Sequence, residues 1–161
     1  MRIIPIDEQY REEVNYRLKE EWNCPPVISR GKAIDTTGLP GFVAIEEERI
    51  AGIVTYHMEG GAWEIVTFNS FLMNRGVGTL LVKVMLQTAK EAGCQRLWLI
   101  TTNDNTNAIR FYQRRGFELI ALHINAISES RRMKPEISMI GEDGIPIKHE
   151  LEFEIRLDKK D

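Results

Sequence analysis

The sequence predicts a mixed α/β domain: an α+β fold with a central, mostly antiparallel sheet of about seven strands, a β-α-β crossover and flanking helices. Three observations carry this. Three strand-like runs, residues 42–46, 49–58 and 62–71, follow one another through tight turns and read as an antiparallel meander. A strand, a helical stripe and a second strand then occupy residues 62–101, the pattern of a parallel crossover. Near the end Leu151, Phe153, Ile155 and Leu157 alternate with Glu152, Glu154 and Arg156, as a strand covered on one face requires.

The remaining elements follow in chain order. Residues 2–6 form a short strand that Pro5 confines to the sheet edge, because proline cannot donate to a central ladder. Asp7 caps a helix on which Tyr10, Val14, Leu18 and Trp22 recur every four residues. Residues 23–41 hold three of the six prolines and read as irregular, with at most one helical turn. Glu47 and Glu48 form an acidic turn, and Glu59–Gly61 a hairpin turn. Val77, Leu80, Leu81, Val84, Met85, Thr88 and Ala92 keep helical spacing up to Gly93. A buried strand over 95–101, a short helix ending at Gly116 and a strand over 118–127 come next. Residues 128–150 show no period, and a loop of that length in a compact domain is usually functional or disordered. No repeat or linker divides residues 1–161, which read as one domain.

Composition removes several functions. With a net charge of -3 the chain has no basic field for nucleic acid. No apolar run approaches the ~20 residues of a membrane span, and the N-terminus lacks the apolar run of a signal peptide. Two distant cysteines, Cys24 and Cys94, make neither a metal set nor a disulfide framework, which fits reduced thiols in a cytoplasm.

The chemistry starts at Met73-Asn74-Arg75-Gly76-Val77-Gly78-Thr79, where a strand ends and a helix begins at once. A helix N-terminus presents unpaired N–H groups and a partial positive charge to an anion. Glycines there remove the Cβ atoms that would block a close approach. A dinucleotide fingerprint needs a third glycine where Leu81 stands, and a P-loop needs Lys-Ser/Thr where Thr79 and Leu80 stand. A tight turn with no ligand is the plain alternative. Further on, the chain reads Asn105-x-x-Ala108-x-x-x-Tyr112-x-x-x-Gly116-Phe117.

The two segments together, in this order of elements, resemble the GNAT superfamily of N-acetyltransferases, in which Q/R-x-x-G-x-G/A is followed by N-x-x-A-x-x-x-Y and a closing Gly-Phe. The resemblance covers most of the chain. It implies acetyl-CoA as cosubstrate, bound in a gap between the strands at 62–71 and 95–101, with its pyrophosphate on residues 73–79 and its arm met by Asn105. Met73 departs from the pattern, since its side chain cannot donate to phosphate; Asn74, Arg75 and Thr79 are left to supply polar contacts. Tyr112 matches the tyrosine that protonates the leaving sulfur. Glu64 stands where several members carry a catalytic glutamate, and a carboxylate among Trp63, Ile65, Val66 and Phe68 would have a raised pKa suited to a base. Strand alternation would put Glu64, Val66 and Phe68 on one face. His57 and His123 are further candidates for the base.

The acceptor is a primary amine of unknown identity, small or peptidic. Its walls are expected to include Trp22, Arg30, Asp35 and residues 128–149, where Arg131, Arg132 and Lys134 could hold an acidic group or form a solvated mixed-charge surface. A non-catalytic acyl-CoA-binding regulatory module and a nucleotide-binding module are the alternatives from other classes. A homodimer is possible by the same resemblance.

Overall fold

The computed structural model of the chain describes residues 1–158 apart from Cys24 and Asn74. β1 (Arg2–Pro5) is an edge strand paired with β4 (Gly41–Glu46). Asp7 accepts the Tyr10 N–H at 3.3 Å and caps α1 (Glu8–Trp22), whose Tyr10, Val14 and Leu18 are buried. Trp22 ends the stripe half-exposed, and its indole N–H donates to Asn69 Oδ1 at 2.7 Å.

Residues 23–41 are more ordered than their prolines suggest. They contain a hairpin, β2 (Val27–Ser29) and β3 (Lys32–Ile34), closed by Arg30 and Gly31 at φ 49° and 74°. Two consecutive positive φ angles make the tight turn whose twist matches that of paired strands. The meander of β4, β5 (Arg49–Glu59) and β6 (Ala62–Ser70) is antiparallel as expected, and α2 (Val77–Glu91) crosses over to β7 (Arg96–Thr102), which runs parallel to β6. α3 (Thr106–Arg114), β8 (Glu118–His123), α4 (Ala126–Met133) and β9 (Glu150–Arg156) complete the chain. The seven strands lie in the order β1-β4-β5-β6-β7-β9-β8, antiparallel except for β6 and β7.

Two expectations change here. The strand read over 118–127 stops at His123, and the supposed loop contains most of α4 and a short 3-10 turn at Glu142–Gly144. α4 has eight residues and buries only Ile127 and Ser130, too few apolar positions to show a period. On α2, Val77, Leu81 and Met85 face inward as predicted, but Val82 and Ala89 join them while Leu80 is exposed.

The sheet separates two cores. α2 and α3 cover one face, over Val54, Tyr56, Trp63, Ile65, Leu97 and Phe153. α1 covers the other, over Val43, Ile45, Ile50 and Ile53. What opens the sheet is a bulge. Thr55 pairs with Thr67 and Tyr56 with Ile65, so Val66 has no partner on β5. A bulge bends and over-twists its strand, and the pairing of β6 with β7 ends at this level, at Ile65–Leu99. Beyond it the two parallel strands diverge. The bulge also overturns the predicted alternation: Phe68 packs on the same side as Ile65, against Phe111 and Tyr112, whereas Asn69 meets Trp22 on the α1 side.

Candidate active site

The gap between β6 and β7 widens into a cleft of about 600 Å³. Its floor is the unpaired ends of β6 and β7, one wall is α3, and the other is built from Trp22, the β2–β3 hairpin and the segment around α4. Glu64, Asn105 and Tyr112, read from separate stretches of sequence, all line it.

α2 begins where β6 has turned away. Its cap residue Gly76 sits at φ 72°, and among the described residues no side chain caps the first helical N–H groups. These donors are therefore free for an anion. The two glycines have different reasons from the close approach expected of both. A Cβ on Gly76 would meet open space, so this position needs glycine for its left-handed φ. A Cβ on Gly78 would lie 2.8 Å from the Phe111 ring, so this glycine lets α3 pack on α2. The rest of the turn is uneven. Met73 is 88% exposed. Arg75 lies 3.9 Å from Glu46 across the surface. Asn74, also expected to bind cofactor, lies outside the described residues. Thr79 accepts from Arg115, at 3.0 Å from Nη2, and the Arg115 guanidinium stacks on Phe111 at 3.6 Å. A cation thus stands at the first turn of α2 that the sequence does not reveal, because Arg115 is 36 residues from Thr79 and occupies an unspecified position of the second motif, between Tyr112 and Gly116.

Asn105 caps α3 by accepting the Ala108 N–H at 3.2 Å. Its amide nitrogen makes no hydrogen bond among the described residues and remains free toward the cleft. Tyr112 is held by Phe68, Phe111 and Phe117, each edge-on at 5.2–5.8 Å between centroids. Its hydroxyl makes no hydrogen bond among the described residues. Burial pushes the phenol pKa well above its usual range, so Tyr112 stays protonated.

Glu64 is buried, 6% exposed, and accepts the Ser29 hydroxyl at 2.6 Å. Burial pushes its pKa up to about 7; the Ser29 bond opposes this, and the carboxylates of Glu150, Glu152 and Glu59 add to it. Glu150, at the start of β9, also lines the cleft and is buried, with its pKa raised by burial and lowered in part by Arg30. Neither Ser29 nor Glu150 was flagged in the sequence. Ser29 was hidden with its hairpin, whose one signal is Arg30-Gly31 between two short apolar runs. Glu150 closes the run 128–150, in which no period marks it.

Other candidates fall away from the cleft. His123 bonds Glu152 at 2.9 Å, and His57 lines a separate small pocket behind Glu64 with Arg96 and Trp98. Asp35 is occupied by Thr37 at the surface. Of the two readings of residues 131–134, the acid-binding patch does not form, and the mixed-charge surface holds only for Arg132 with Glu129. Lys134 is buried and donates to the Trp22, Asn23 and Pro26 carbonyls, Arg131 donates to those of Ile137, Ser138 and Ile147, and Arg132 pairs with Glu129. These cations build the wall instead of presenting charge to a ligand.

A mostly antiparallel sheet splayed between its two parallel strands, with a helix N-terminus, a tyrosine and a buried carboxylate around the gap, defines an acyltransferase-type architecture. The chain belongs to the acetyltransferase (GNAT) family, whose sequence model matches residues 5–117. A Bacillus subtilis relative, the uncharacterized protein YdhI, is 40% identical over 154 residues, covering 95% of this chain and 96% of its own. Among solved structures, an IAA acetyltransferase from Bacillus cereus superposes with a TM-score of 0.74 at 20% identity, over 96% of this chain and 98% of its own. A Bacillus subtilis acetyltransferase in complex with CoA superposes with a TM-score of 0.70 at 18% identity, over 96% and 97%. No helix among the described residues is long and apolar enough to cross a membrane.

Proposed function

We propose that residues 1–161 form one N-acetyltransferase domain that moves an acetyl group directly from acetyl-CoA to a primary amine, in the cytoplasm. The observation that carries this is the convergence of Glu64 and Tyr112 on one cleft, whose α3 wall packs through Phe111 against Gly78 at the start of α2. The CoA bound in the Bacillus subtilis structural neighbour supports the choice of cosubstrate.

Residues 75–79 and the N–H groups of α2 hold the pyrophosphate, with Arg115 beside them. Asn105 and the unpaired edge of β6 beyond Ile65 meet the pantetheine arm. Acetyl-CoA supplies an activated acyl group; the chain supplies position and protons. The acceptor enters as an ammonium and needs a base before it can attack. Glu64, with a pKa of about 7, takes that proton and passes it to solvent. A new C–N bond replaces the C–S bond, and Tyr112 gives its hydroxyl proton to the departing thiolate, regaining one from the acylated nitrogen. The sum is R-NH₃⁺ and acetyl-CoA giving the N-acetyl amine, CoA and one proton. Tyr112 is a weaker acid than in water, but the same dry surroundings raise the pKa of the leaving thiol, so donor and acceptor stay matched. Neither an activated cysteine nor a covalent enzyme intermediate is needed: Cys94 is buried.

The same reading carries a homodimer. The edge strand β8, with Leu119 and Leu122 about half exposed and Ile124 just past its end more so, is the surface that supports it, and sedimentation velocity tests it. The reaction itself is tested by incubating the protein with acetyl-CoA and an amine panel while following free thiol. Amine-dependent thiol release is expected, whereas CoA binding without it would support the regulatory module.

A further inference from the structure

The acceptor half of the cleft carries one sign of charge. Among the described residues it is lined by Glu64, Asp104, Glu142 and Glu150, and by no Lys, Arg or His. Asp104 is committed within the fold, accepting the Thr102 hydroxyl at 2.5 Å and the Glu142 N–H at 3.2 Å. Glu142 is exposed to solvent. Glu150 differs from both. It is 1% exposed, and its Oε1 makes no hydrogen bond among the described residues. The other oxygen has only the long 3.4 Å contact from the Arg30 backbone N–H, and the Arg30 guanidinium, half out in solvent, stays 3.7 Å from Oε1.

A buried carboxylate with an empty oxygen is expensive unless a partner arrives. The structure gives the partner a place. Ser29 touches Glu64 and the next residue, Arg30, touches Glu150, so the two carboxylates lie within about 10 Å of each other across the hairpin tip. That span suits one small molecule with two nitrogens.

We propose that Glu150 is a specificity-determining residue that receives a second ammonium of the acceptor, so that the preferred substrate is a diamine or longer polycation whose other amine faces Glu64. The inference rests on the acetyltransferase reading of the same cleft. It makes Arg30 a competitor: its guanidinium partly satisfies Glu150 in the free protein and gives way to the substrate's tail.

The test uses three acceptors with one spacer and different tails: butylamine, diaminobutane and aminobutyrate. The expected order of kcat/KM is diamine, then monoamine, then amino acid, with the diamine ahead of the monoamine by about tenfold or more. Glu150→Gln keeps the shape and removes the charge, and should cut the diamine-to-monoamine ratio at least about fivefold. Arg30→Met removes the competitor and should move the ratio the other way, a result that a purely structural Glu150 would not give. An unchanged ratio in Glu150→Gln, or a preference for aminobutyrate, overturns the proposal. Calorimetric binding of the same three compounds to the CoA-saturated protein reads the site without turnover. Charge-selective binding that Glu150→Gln abolishes, without acetyl transfer, would overturn the reaction and keep Glu150; transfer without charge selectivity would do the reverse.

Discussion

The two halves of the cleft are built differently. The cofactor half is made of regular elements: the ends of β6 and β7 and one face of α3, with the start of α2 packed against α3 where Gly78 meets Phe111. Its side chains are placed by helix and strand periodicity, with Phe111 and Tyr112 locked in an aromatic cluster. The acceptor half is made of a six-residue hairpin with its turn, a two-turn helix and irregular chain, tied by side chain to backbone bonds such as those of Lys134 and Arg131. On the proposed reading the first half binds an anion with backbone groups and the second chooses an acceptor with side chains, a division that would let one fold carry different acceptors on a shared cofactor cradle.

The largest effect that separates the halves is expected at Tyr112. Tyr112→Phe keeps the ring in its cluster and removes the proton, so kcat should fall on the order of 10²-fold or more while the Kd for acetyl-CoA changes little. An equal loss in Kd would make Tyr112 a binding residue and blur the division.

The glycines come next. A Cβ at Gly78 meets the Phe111 ring, and Gly78→Ala should destabilise the fold by about 1–3 kcal/mol through the α2–α3 contact. Gly76→Ala meets only open space and pays for its positive φ, about 1–2 kcal/mol. Thermal unfolding with and without CoA separates them. The Gly78 variant should lose Tm in both conditions, since packing is damaged, and an effect confined to the CoA complex would restore the close-approach explanation.

Glu64 should show the cost of a base held out of water. Its folded pKa of about 7 lies above the ordinary 4.5 of a free glutamate, so the folded state favours the protonated form. Stability from this group is greatest at acid pH, falls as pH rises from 4.5 to about 7, and stays low above that. Glu64→Gln should therefore stabilise the protein by about 1–3 kcal/mol at alkaline pH and by much less at acid pH, worth a few degrees in Tm. Equal stabilisation at both ends would show that the charge is not the cause. The smallest effect is expected at Met73, exposed at the lip of the cradle. Met73→Gln adds one donor and should tighten acetyl-CoA only about two- to fivefold, because most of the pyrophosphate binding comes from the backbone.

What could be read from sequence follows the same division. Asn105, Tyr112 and the 73–79 turn belong to motifs whose spacing is set by a helix and a turn and is therefore legible; Asn105 and Tyr112 line the cleft, whereas none of the described residues of 73–79 does. Glu64 was found because a carboxylate in an apolar strand stands out, although the bulge at Val66 falsified the face assigned to Phe68. A bulge leaves no compositional mark. Ser29, Arg115 and Glu150 were missed because each reaches its partner over 35 to 120 residues of chain, a distance over which no local period operates. The basic residues 131–134 misled for the opposite reason. Sequence shows that charges are present, but not that Lys134 is turned inward onto three carbonyls.

The central claim is that Glu64 is the base of an amine-dependent acetyl transfer. Free-thiol release from acetyl-CoA, measured across pH in the wild-type protein and Glu64→Gln, tests it most directly. The account predicts that wild-type kcat/KM rises as pH passes about 7, while Glu64→Gln loses that inflection and about tenfold or more in rate, keeping only the shared rise from ionisation of the amine itself. Identical profiles in the two proteins, or thiol release that does not depend on the amine, would contradict it.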